Sequence, residues 1–391
     1  MIGSAQRSGL TACIVALATV GCGGARGGDS ELHVEVDSSR GIPIVRSSGV
    51  APEWRTEIIA AIGVDETGEL EFGSVRSVLL SRLGRLFVAD LSLTRVSEFD
   101  SLGSFVRHIG RKGSGPGEYL SPYSIATFHD SIALFDPYGS RISLFDVSGK
   151  WARQWTVAMN TGGQAVRLYR APPDEFWAYA TRINSSGVER VFVRYVGDGP
   201  RDTVSAHATA AVRPSGVTCV VPRGISFYPD PFGGRSMAVP LPSGEVALAT
   251  STEYRIAILA PSGDTTRIIE RPVEPARVSD EDWQAEEALW REWRDRIVDE
   301  KCDRDQLRRP ARHPIIEWLV LDDQSRLWVA TRTTAGRVYD VFDTSGALAA
   351  TVAGLPPVGG VDPSIAGDRI ALVVEDSIGR ETIRVYHIRP R

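Results

Sequence analysis

Two stretches, "DLSLTRVSEFDSLG" (Asp90–Gly103) and "DPYGSRISLFDVSG" (Asp136–Gly149), decide the fold. Both read Asp, four residues, Arg, a β-branched residue, two more, then Phe-Asp, two residues and Gly. A third copy, "TSTEYRIAILAPSG", runs from Thr250 to Gly263, and a longer fourth, "TRTTAGRVYDVFDTSG", from Thr331 to Gly346. Weaker copies begin at Glu189 ("ERVFVRYVGDG") and Glu381 ("ETIRVYHI"). Self-similarity of this kind marks a repeat architecture in which each unit buries its apolar faces against its neighbours.

Each unit reads as strands. Upstream of the shared core lie short alternating runs such as "RLFVAD" ending at Asp90, "SIALFD" at Asp136, "EVALAT" at Thr250 and "RIALVVE" at Glu375. Alternation over a few residues bounded by turn formers predicts half-buried strands, and the close spacing predicts antiparallel hairpins of four strands per unit. "IGRKGSGPGEY" (Ile109–Tyr119) carries the glycines of a phosphate-binding loop but fits neither a P-loop nor a dinucleotide template. Its twin "IGVDETGELEF" (Ile62–Phe72) keeps the Ile-Gly start and the Glu-aromatic end while losing most glycines, so both read as connectors between units.

The segment "EWRTEIIAAIG" (Glu53–Gly63) resembles an outer strand with no unit before it, and the last unit, from about Val361, holds only three strands. Pairing the two would close the ring and remove its open edge. The expected fold is all-β: a six-bladed β-propeller closed by N- and C-terminal strands, with one helical insertion. The expected divisions are a signal peptide over 1–21, a flexible tether over 22–52 and the propeller over 53–391.

The chain has 391 residues, 42% hydrophobic and 24% charged, as a globular protein does. Its net charge of -5, from 44 basic and 49 acidic residues, gives no basic surplus for nucleic acid. Arg7 followed by the apolar run Leu10–Val20 reads as a secretory signal. Two cleavage sites compete: "ALA" (Ala16–Ala18) suits ordinary signal peptidase, and "TVGC" ending at Cys22 resembles the bacterial lipoprotein box, with Thr19 where that box has Leu. On the second reading Cys22 is acylated and "GGARGGDS" tethers the protein to a membrane. Either reading means export, to a bacterial periplasm or outer surface. There Cys219 and Cys302 can pair as a disulfide or stay as two buried thiols.

Two segments interrupt the repeat. Residues 201–234, with "RPSGVTCVVPRG" and "SFYPDPFGG", read as an ordered loop with little regular structure. Within an insertion over about 276–312, "SDEDWQAEEALWREWRDRIVDE" reads as a helix opened by a capping box at Ser279 and Asp282, with Trp283, Trp290, Trp293 and Ile297 along one face. Such a stripe reads either as packing on the protein's own surface or as a lid or partner helix.

The six histidines show no HxH or HExxH spacing, and no GxSxG elbow is present. The recurring Asp-x4-Arg reads as structural, because it repeats from unit to unit. Arg111, Lys112, Tyr119, Tyr123 and Tyr138, on linkers and hairpin loops, are the candidates for binding at a channel mouth, where charge and aromatic surface would combine.

The motifs "GRLFVAD", "TRVSEFDSLGSFVRHIG" and "GSGPGEYLSP" resemble NHL-type repeats and the six-bladed propeller lipoproteins of bacteria. The resemblance is good over Ser74–Trp155, weaker over Ile315–Ala353, and covers about half the mature chain. It implies the fold more than an activity. The reading it leaves first is a binding or interaction module without catalysis, with no cofactor and with a protein or small-molecule ligand as partner. The alternative is a metal-dependent hydrolase or lyase, lactonase-like, with calcium or zinc held on the axis by ligands from several blades.

Overall fold

The computed structural model describes residues 31–391 apart from 40, 64–70, 157–166, 172–174, 185–186, 197–198, 207–214, 223, 298–300, 305, 377–378 and 391. Its strands form six blades around a channel. Blades 1 to 5 are four-stranded antiparallel meanders, running Val75–Leu80 to Phe105–His108, Ser124–Phe128 to Trp151–Thr156, Arg167–Ala171 to Gly199–Ala206, Ser236–Pro240 to Thr265–Glu270, and Ile316–Leu321 to Leu348–Ala353. Blade 6 takes three strands from the C-terminus, Ser364–Ala366, Arg369–Glu375 and Glu381–Arg389. Its fourth is an N-terminal strand, Glu53–Ile62, paired antiparallel with Glu381–Arg389 from Arg55 opposite Arg389 to Ile62 opposite Ile383. The expected closure is therefore the one observed.

The core lies between blades, where alternate residues of facing sheets interdigitate. Phe87, Ala89, Leu134 and Phe145 fill the seam between blades 1 and 2, and Val88, Phe99, Val373 and Ile383 the seam between blades 6 and 1. Each fully buried Val, Leu, Ile or Phe side chain contributes about 1.5–3 kcal/mol. Serines on innermost strands stitch the seams. The Oγ of Ser77 accepts from the Ile125 N–H at 3.1 Å, that of Ser124 from Leu168 at 2.9 Å and that of Ser364 from Leu80 at 2.8 Å.

The repeated acidic residues are structural, as their repetition indicates. Asp136 accepts from the N–H groups of Leu120 and Ser121, each at 3.0 Å, and of Gly139 at 3.1 Å, and from Arg141 Nε at 3.2 Å. Arg141 reaches on to the carbonyls of Ser114 and Gly113, holding the glycine-rich linker. That linker needs glycine: Gly110 has φ +64°, and a Cβ there would stand 2.7 Å from the Gly117 carbonyl oxygen.

Two expectations are corrected here. Residues 33–48 are not part of a flexible tether. They form strands β1 (His33–Asp37) and β2 (Ile44–Ser48), antiparallel to each other, with β2 parallel to Thr265–Glu270 on the outer edge of blade 4. "HVEVD" alternates as a strand should, and Ile44, Val45 and Ser47 are buried, with Ser47 Oγ accepting from the Leu348 N–H at 3.1 Å. Residues 201–234 are likewise more regular than a loop. They hold the end of blade 3's last strand and a hairpin, Gly216–Val221 with Gly224–Pro229, whose pairing satisfies the backbone groups of a Pro- and Gly-rich sequence.

That hairpin extends through Lys301–Cys302 into a three-stranded sheet, where Cys219 and Cys302 are opposite each other and joined by a disulfide. The helical insertion is as its sequence suggests: helix α1 (Asp280–Asp295) opens with the capping box of Ser279 and Asp282. Trp290 stacks on Trp293 at 5.1 Å, and Tyr228 of the hairpin meets both at 5.2 Å. These two tryptophans therefore pack on the protein itself.

Candidate functional site

The six innermost strands together line the channel. Its middle is apolar, with Val78, Ala126, Leu168, Val239, Val320 and Ile365 contributed one per blade. Polar groups gather toward the mouth, the face where each blade's last strand hands the chain to the next blade's first. There Arg167 of blade 3 reaches Asp362, just before blade 6, in a salt bridge between opposite sides of the ring. This pair straps the channel below a mouth lined by Arg76, Tyr123, Tyr169, Tyr179 and Gly360.

Electrostatics sets the chemistry. Burial pushes the Asp362 carboxyl up, and Arg167 pulls against it. Burial also lowers the Arg167 guanidinium, but the Asp362 charge, together with hydrogen bonds to Asp362 and to the Tyr169 hydroxyl, outweighs it and holds the group above its ordinary value. Burial raises the Tyr169 phenol, so it stays a neutral donor. Only one oxygen of Asp362 is used by the pair; Oδ1 is buried without a hydrogen-bond partner among the described residues. A second guanidinium, Arg235, lies 5.0 Å over the Trp318 ring, which Arg167 also approaches at 6.0 Å. Burial depresses Arg235, with Glu317 and Asp362 opposing.

Arg76 is exposed at the mouth and makes no salt bridge among the described residues. It occupies the extra position of a register shift between Val75 and Ser77 in blade 1's first strand. A bulge of this kind re-aims one side chain and is common beside functional sites.

Of the residues expected at the mouth, one is there. Tyr123 lines it, beside the first strand of blade 2. Tyr119 is buried in the seam between blades 1 and 2, where its Oη accepts from the Val96 N–H at 2.9 Å and donates to the Ile109 carbonyl at 2.8 Å. Burial pushes that phenol up to about 12. Arg111 and Lys112 form a two-residue strand beside Glu118 and Tyr119, and Arg111 pairs with Glu118 at 2.8 Å, so their charge serves the linker. Tyr138 is exposed at the tip of blade 2's middle hairpin. Cys22 lies outside the described residues.

The donors among the described residues assemble no axial metal site. Among the described residues no three His, Cys, Asp or Glu side chains stand close enough together to hold an ion. The histidines are dispersed: His108 meets Ser97, His313 meets Asp282 and His387 meets Asp368. At the channel's other end Asp322 is taken by Arg326 and Trp328, and Asp323 by Arg82 and the Gly367 N–H.

The profile of a family described as a 6-bladed beta-propeller matches residues 59–194. No curated protein matches the chain. Among solved structures, a Bacteroides fragilis protein described as exported is 12% identical with a TM-score of 0.44, covering 86% of this chain and 99% of its own. A Bacteroides vulgatus protein is 10% identical, TM-score 0.42, with the same coverages of 86% and 99%. Virginiamycin B lyase from Staphylococcus aureus is 11% identical, TM-score 0.37, over 85% of this chain and 99% of the lyase.

Proposed function

We propose that the protein is an exported binding propeller, anchored by lipid at Cys22, that takes a small ligand at the channel mouth and performs no chemistry on it. The observation that carries this reading is the strapped mouth. Arg76, exposed and near the Glu381 carboxylate without a salt bridge to it, offers a guanidinium, and the partnerless Oδ1 of Asp362 calls for a donor, since a buried acceptor left unmet costs about 1–3 kcal/mol. Three tyrosines add ring faces and hydroxyls around them. The complementary ligand carries an acidic group for Arg76 beside an ammonium, amide or hydroxyl hydrogen for Asp362, as amino acids and sugar acids do.

The test is a thermal-shift panel of amino acids, dicarboxylates, sugar acids, phosphate esters and neutral sugars. Saturable stabilisation by an acidic member, lost in Arg76→Ala, is the expected result. Stabilisation by neutral sugars alone, or turnover of lactones or esters, would overturn the reading. Intact mass of the membrane-extracted protein checks the acyl group on Cys22.

A further inference from the structure

The apolar residues at the surface of the disulfide-tied sheet are not scattered. In the register of the three strands, Ile225, Val220 and Lys301 stand side by side in one row. The next row pairs Thr218 with Phe227. Val220 is 60% exposed, Ile225 73% and Phe227 42%. The opposite face of the same sheet is buried: Val217 and Cys219 pack on Trp290, with Tyr228, Trp293 and Leu307 around them. Disulfide and tryptophans fix the backbone, so the outer row cannot turn inward.

The chain's path places this sheet on the same face of the ring as its N-terminal segment. Sheet and helix are inserted in the connections from blade 3 to blade 4 and from blade 4 to blade 5, which leave and enter on the mouth side. In blade 4, Glu270 marks that side, at the end of the last strand. Strand β2 runs parallel to it with Arg46 opposite Glu270, β1 returns with His33 opposite Ser48, and Glu31 bridges to Val50. The chain thus enters the described structure at the mouth face, on blade 4, next to the insertion. The eight residues between Cys22 and Glu31 span at most about 28 Å when extended. A lipid on Cys22 would hold this face close to its bilayer.

We infer that the Val220–Ile225–Phe227 face of the hairpin is a membrane contact, seated in the lipid interface of the bilayer that holds the anchor. Apolar side chains beside a lysine are the composition that an anionic interface accepts, and one acyl signal gains firm attachment from a second contact. The inference rests on the acylation of Cys22 proposed above.

The test uses the full chain as extracted from its membrane, with the state of Cys22 read by mass spectrometry, in vesicles of phosphatidylethanolamine and phosphatidylglycerol doped with a lipid-borne carbene precursor, with adducts mapped by mass spectrometry. Leu83, 82% exposed, and Leu102, 78% exposed, lie in hairpin loops on the opposite face of the ring and serve as internal controls. Adducts are expected on 218–229 and at Lys301, at about ten times the level on Leu83 and Leu102. The triple variant Val220→Ser/Ile225→Ser/Phe227→Ser should lower them about tenfold while keeping the disulfide and the thermal midpoint. Labelling of 218–229 no higher than the controls, with Cys22 acylated, overturns the membrane contact and leaves the anchor standing. Specific labelling of the hairpin with no acyl group on Cys22 supports the contact and removes the anchor. Should the triple variant misfold, Ile225→Ser alone is expected to give a smaller drop in the same direction, and unchanged labelling in that variant overturns the contact.

Discussion

The linker into blade 2 and the insertion that leads into blade 5 occupy equivalent places in the ring and are held by different means. The first is fixed by the repeat itself: Asp136 and Arg141 bond to its backbone, and buried Tyr119 bridges it to blade 1. The second has no repeat to lean on. A covalent bond, a tryptophan stack and one capped helix do the same work. Periodic sequence spreads its restraints over many small hydrogen bonds, whereas a unique segment concentrates them in a few groups whose loss is felt at once.

Perturbations of decreasing size separate these two strategies. The largest concerns the ring: a chain that begins at residue 64 lacks the strand that completes blade 6, exposing the edges of Glu381–Arg389 and Leu348–Ala353. It is expected to aggregate, as gel filtration would show, and a monomeric product of unchanged thermal midpoint would mean the closing strand is dispensable. Next, Cys219→Ser with Cys302→Ser opens a cross-link between positions 83 residues apart. In the chain-entropy model that costs about 4 kcal/mol, measured by denaturant unfolding; a loss under about 1 kcal/mol would show the tryptophan cluster suffices.

Within the repeat, Tyr119→Phe removes one buried donor and one acceptor, and should cost about 1–3 kcal/mol by the same measurement. An unchanged midpoint would indicate that water takes over both bonds. The smallest effect belongs to the helix start. Ser279→Ala is expected to cost about 1 kcal/mol and to raise amide exchange over 280–295 while leaving the blades unchanged.

Acid should act on the same spot. The Ser279 hydroxyl, with Arg332 and His313, holds the Asp282 carboxyl below its ordinary 3.8, so its contribution is full above that value and is lost as pH falls through the lower, folded one. Burial holds His313 below its ordinary 6.5, so the unfolded chain takes that proton first and stability falls as pH drops below 6.5. Faster exchange of 280–295 at pH 5 than at pH 7, after correction for intrinsic rates, is the expected sign. The reverse would show that His313 gains more from Asp282 than it loses by burial.

The fold was legible because its signals recur. Alternation in "RLFVAD" and "SIALFD", the Phe-Asp-x-x-Gly turns, and an unpaired strand at one end facing a three-stranded unit at the other suffice to name the ring and its closure. β1 and β2 follow a glycine-rich stretch and are polar in composition, so the alternation in "HVEVD" is a weak strand signal by itself, and what holds the pair in place is the burial of Ile44 and Val45. The mouth was mostly illegible. Arg76 sits at a register shift, which has no fixed sequence mark, and Arg167 and Asp362 meet across 195 residues of chain. Tyr119 and Arg111 are conspicuous in the linker sequence, yet their hydroxyl and guanidinium serve the linker itself.

The closing strand also sets an order of events. Glu53–Ile62 and its partner, Glu381–Arg389, are separated by 318 residues, from 63 to 380. A chain that emerges amino end first must keep this closing strand waiting until all of blades 1 to 5 has followed. Any pause before residue 381 therefore leaves both edges of an unfinished ring open together, and the time the chain takes to emerge sets how long they stay so.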